Sequence, residues 1–75
     1  MKVWIIEEDI GYQDIQILSV HASEESAKMR LASIVVEDSN LDTVYLRQNY
    51  VVRRDGMCAN GRNSYIEINE YDVSE

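Results

Sequence analysis

The run Val20-His21-Ala22-Ser23-Glu24-Glu25-Ser26-Ala27-Lys28-Met29-Arg30-Leu31-Ala32-Ser33-Ile34-Val35 decides the fold, because the hydrophobic period changes inside it. Upstream, Asp14-Ile15-Gln16-Ile17 alternates polar and apolar before continuing as Leu18-Ser19-Val20, the pattern of a strand. Downstream, Ala27, Leu31, Ile34 and Val35 form a single stripe of helical spacing, with Met29 near its flank and Lys28 and Arg30 pointing elsewhere. Ser23 is a good N-cap, and Glu24 and Glu25 set carboxylates at the positive end of the helix dipole. Glu37-Asp38-Ser39-Asn40 is a polar cluster suited to ending the helix.

On the N-terminal side, Lys2 to Glu7 contains a Val-Trp-Ile-Ile run of strand-favouring residues. The turn formers of Glu8-Asp9-Ile10-Gly11-Tyr12-Gln13 then predict an antiparallel hairpin with the second strand. On the C-terminal side, Val44-Tyr45-Leu46 and Tyr50-Val51-Val52 are β-rich, and Tyr65 to Val73 begins an alternation as Tyr65-Ile66-Glu67-Ile68-Asn69. Between them lie two hairpin signals, Asp55-Gly56 and Asn60-Gly61; either one closes a hairpin or both sit in a longer loop. The expected architecture is α+β: an antiparallel sheet of about four strands, β-β-α-β-β, with one helix across one face. At 75 residues it is a single domain spanning 1–75, small enough that burial against a partner or a second copy would help it.

Composition is ordinary for a globular chain, with 45% hydrophobic and 28% charged residues. No proline and three glycines leave no glycine-rich phosphate loop. The single Cys58 cannot form an internal disulfide, and the N-terminal apolar run is too short for a signal segment or a membrane span, so a cytoplasmic setting is expected. Zinc would need about four Cys or His ligands, whereas the chain has one of each, and Glu7-Glu8-Asp9 lacks the spacing of a calcium loop. No metal and no cofactor is expected. A Cys58–His21 pair is the one nucleophile candidate; the arginines near Cys58 would favour its thiolate, yet a third orienting group is missing and no enzyme is expected.

The net charge is −7 and unevenly spread. Residues 1–25 carry one Lys against six acids, residues 26–62 six cations against four acids, and residues 63–75 four acids and no cation. Such a field opposes nucleic acid and anionic membranes and favours a basic protein partner. The candidate partner surface is Glu7, Glu8, Asp9, Asp14, Glu67, Glu70, Asp72 and Tyr71, whose charges converge if the first and last strands are neighbours. Tyrosine enrichment, five Tyr and one Trp with no Phe, suits an interface as well as a core. The alternative is a small ligand- or nucleic-acid-binding domain that uses Arg53, Arg54 and Arg62 around the glycine-containing loop. A homodimer is also expected, since one helix leaves a sheet face uncovered.

The opening strand Met1-Lys2-Val3-Trp4-Ile5-Ile6, the helix start Ser23-Glu24-Glu25-Ser26-Ala27 and the closing Ile66-Glu67-Ile68-Asn69-Glu70-Tyr71-Asp72-Val73 together resemble a loose group of short phage and bacterial β-β-α-β proteins. The likeness covers under half of the chain, and the segment from Val44 to Arg54 is longer than in that group. It carries over no catalytic residue. In size and charge the chain is also similar to phage-encoded inhibitors of host or defence proteins, which implies a host-cytoplasmic modulator that binds a basic protein surface.

Overall fold

A computed structural model describes residues 1–11, 14–41 and 47–74. Its elements are β1 (Lys2–Asp9), β2 (Gln16–His21), α1 (Glu24–Ser39), β3 (Val51–Val52), β4 (Cys58–Asn60) and β5 (Tyr65–Asp72). The strands form one antiparallel sheet in the order β2-β1-β5-β4-β3, so the first and last strands lie side by side. The α+β expectation holds, with five strands where about four were expected. The additional strand, β4, is three residues of modest strand propensity. It forms because β5 offers it an edge, pairing Ala59 with Ile66 and Cys58 with Glu67. Each hairpin signal closes its own connection: Asp55-Gly56 turns β3 into β4, and Gly61 lies in the turn from β4 to β5. The expected strand at Val44-Tyr45-Leu46 lies outside the described residues.

The helix starts where its cap predicts, since the Ser23 side chain accepts a hydrogen bond from the Ser26 N–H at 3.1 Å. It ends at Ser39, with the Asn40 N–H bonded back to the carbonyls of Glu37 and Asp38. Ala27 and Leu31 are buried, and Ile34 and Val35 pack against the core they share with Ile6, Ala59, Ile66 and Ile68. Met29 stands out of that stripe and is 74% exposed.

Pleating settles which face each strand residue occupies, since neighbours alternate and paired residues share a face. Trp4, Ile6 and Glu8 of β1, Ile66 and Ile68 of β5 and Ala59 of β4 lie under the helix. Val3, Ile5, Glu7 and Asp9, paired with Tyr71, Asn69, Glu67 and Tyr65, occupy the face that α1 leaves open. A bulge shifts the register so that Ile5 meets Val20 while Glu7 meets Ile17, and both β2 side chains therefore join the open face.

At the far end of the sheet a polar lattice ties the connections together. Ser64, which is buried, donates from Oγ to Glu8 at 2.9 Å and accepts from the Tyr50 hydroxyl at 3.2 Å. Gln48 receives the N–H groups of Arg62 and Asn63 and gives its own to Asp38 at 2.6 Å. Gly61 is required here because a Cβ would lie 2.8 Å from Tyr50 Cε1 and 2.9 Å from Gln48 Cβ.

Candidate functional site

The adjacency of β1 and β5 brings the two acidic ends of the chain together, and the pleat then divides them. Glu7 and Glu67 are direct cross-strand partners on the open face, with Asp9 beyond Glu7 opposite Tyr65. Like charges placed directly opposite are unfavourable in a sheet. Two donors hold the nearer carboxylate: Glu7 Oε1 accepts from the Tyr71 hydroxyl at 2.5 Å and from Asn69 Nδ2 at 3.2 Å. That bond, with partial burial and the negative charge of Glu7, raises the Tyr71 pKa above its ordinary value. Tyr71 is 44% exposed, so the Glu7 carboxylate and the ring beside it are presented to solvent together.

The remaining acidic candidates are elsewhere. Glu8 is on the helix face, where Ser64 donates to it. Glu70 and Asp72 belong to that same side of the sheet at its other end, where Lys2 Nζ lies 3.2 Å from Glu70 and stands opposite Asp72 in the register. The two carboxylates raise the Lys2 pKa, the hydrogen bond to Glu70 being the largest cause. Asp14 is exposed in the connection between β1 and β2. The expected single acidic surface is therefore corrected to an open-face group of Glu7, Asp9, Glu67 and Tyr71, because β5 turns Glu67 and Glu70 to opposite faces. Strict alternation from Tyr65 to Tyr71 already carried that division. Asn69 and Tyr65, which alternation places beside Glu67, join the group.

The arginines do not form one loop. Arg53 opens the turn from β3 to β4 and Arg54 lies within it, whereas Arg62 is in the turn at the other end of β4. Arg53 Nε is held by Asp55 Oδ1 at 2.8 Å, and Asp55 also accepts the Met57 N–H at 3.0 Å; with Arg53 the larger influence, the Asp55 pKa falls below the carboxylate range. Arg62 instead borders a cleft of about 370 Å³ with Asp9, Asn60, Asn63 and Tyr65. The split has a simple cause: each of the two turns closes a separate hairpin, and β4 stands between them.

Cys58 and His21 are likewise kept apart. Cys58 is on the open face of β4, buried, beside the Tyr65 hydroxyl. His21 is on β2 with β1 and β5 between, its two ring nitrogens each 2.8 Å from a serine oxygen, Ser19 and Ser26. Among the described residues, no three His, Cys, Asp or Glu side chains gather as a metal site, and no helix is long and apolar enough to cross a membrane. The chain matches no protein-family model, no curated protein and no solved structure.

Proposed function

We propose that this chain is a non-enzymatic protein-binding module whose open sheet face takes a cationic surface of another protein. The observation that carries the reading is the Glu7–Glu67 pair, two carboxylates opposite one another on the face that α1 leaves open and flanked by Tyr65 and Tyr71. A fold gains nothing from that repulsion, whereas an approaching Lys or Arg relieves it, and tyrosine rings supply contact area of low entropy. The net charge of −7 adds a field that speeds encounter with a basic partner. By its size and charge the module fits the role of an inhibitor or modulator, of the kind phages direct at host or defence proteins.

The test is capture from lysate at low and high salt by three proteins: wild type, Glu7→Gln with Glu67→Gln, and Arg53→Ala with Arg54→Ala and Arg62→Ala. A protein captured in a salt-sensitive manner by wild type and by the arginine variant, and lost with the glutamine variant, is the expected result. Relief of like-charge repulsion should leave the glutamine variant at least as stable as wild type, within about 0.2–1 kcal/mol, so its loss of binding would not be a loss of folding. Recovery of nucleic acid, or binding lost only with the arginine variant, would replace this reading with the arginine-based one.

A further inference from the structure

The two ends of the sheet differ in a way that function at the carboxylate face does not explain. At one end β3 is two residues long and is followed directly by Arg53 and Arg54, a short and charged edge of the kind that discourages further pairing. At the other end β2 is six residues long, and among the described residues its outer hydrogen-bonding edge meets no strand. Residues 15–23 are the longest run in the chain without Asp, Glu, Lys or Arg. Ile15, Ile17, Leu18 and Val20 in that run are 56%, 64%, 39% and 57% exposed. A bulge often deters edge pairing. Here it turns Ile17 onto the face of Val20, so that the edge carries two apolar side chains side by side.

We infer that β2 is a self-pairing edge: two copies of the chain join β2 to β2 antiparallel about a two-fold axis, and the two sheets become one continuous sheet. Charge decides the occupant. Most of this surface would meet its own negative charge in a second copy, whereas β2 meets an uncharged strand identical to itself. The helix above agrees. The flank of α1 on the β2 side is marked by the Ser26–His21 contact and includes Arg30, Ser33 and Glu37 by helical spacing. A two-fold axis reverses the second helix and brings this flank of each copy toward the same flank of the other, where Arg30 and Glu37, 3.4 Å apart in each copy, leave the seam without net charge. This pairing is independent of the carboxylate-face reading, since Glu7 and Glu67 lie on β1 and β5 and stay open in the dimer.

The experiment is sedimentation equilibrium of the wild-type chain from about 5 to about 500 µM, with amide hydrogen exchange at both ends of the range. The mass should rise from 8.7 kDa toward twice that value, and β2 amides should exchange about tenfold more slowly at the high concentration. Ile17→Lys with Val20→Lys, both at exposed positions, should weaken dimerisation at least about a hundredfold. Those changes take the net charge from −7 to −5, so a loss of pairing would not come from added overall repulsion. Val51→Lys on the opposite edge should change nothing. A strict monomer at the highest concentration overturns the inference and leaves β2 open to a strand of another protein. So does a dimer whose β2 exchange is independent of concentration, or one that survives the double change and is lost with Val51→Lys.

Discussion

Tyr65 shows how one side chain records its surroundings. Its hydroxyl lies beside the Cys58 sulfur, and that hydrogen bond, with burial next and the negative charges of Cys58 and Glu67, pushes its pKa up to about 12. A raised tyrosine pKa means that the fold prefers the neutral phenol. The contribution to stability is therefore complete below the ordinary tyrosine value of about 10 and is lost as pH rises from there toward 12. Phenolate absorbance during alkaline titration should show a late step near 12 that disappears in Tyr65→Phe. Finding that step unchanged in the variant would place the perturbed phenol elsewhere.

At the scale of the element, α1 stands on its cap and on a narrow stripe. Only Ala27 and Leu31 are fully buried in sixteen residues, so the packing that holds the helix is thin and its N-terminal hydrogen bonds matter correspondingly. Ser23→Ala removes the acceptor for the Ser26 N–H and should lower stability by about 1 kcal/mol in denaturant unfolding, with the slope unchanged. Glu24 and Glu25 would still favour the helix start through the dipole, which keeps the loss from being larger. A change below about 0.3 kcal/mol would mean that the cap is redundant with the Ser26–His21 contact.

For the whole molecule, the dominant electrostatic fact is net repulsion. The ion pairs among the described residues, Lys2–Glu70, Lys28–Glu24, Arg30–Glu37 and Arg53–Asp55, all have exposed partners and contribute little. Seven uncompensated negative charges on a chain of 8.7 kDa oppose compaction, and salt screens them. Thermal unfolding at neutral pH should therefore move to higher temperature as sodium chloride rises from about 20 mM to about 500 mM. A falling midpoint would show that the surface pairs outweigh the net charge.

Local rules were enough for much of this. The Ser23 cap, the Ala27–Leu31–Ile34–Val35 stripe and the long strands β1, β2 and β5 were legible because each is specified by residues within one or two turns or pleats of one another. The alternation in β5 even contained the separation of Glu67 from Glu70, although charge counting alone merged them. What the chain's linear order could not show depends on residues far apart in it. Cys58-Ala59-Asn60 becomes a strand only because β5 has a free edge, Glu7 meets Glu67 only because the first strand lies against the last, and Ser64 reaches Glu8 only through that same neighbour relation. Strand order is a competition among non-local pairings, each of which closes a long loop for contacts that no short window encodes. Tertiary structure alone therefore decided that the carboxylates of β1 and β5 meet, which arginines are separated, and that among the described residues no strand pairs with the outer edge of β2.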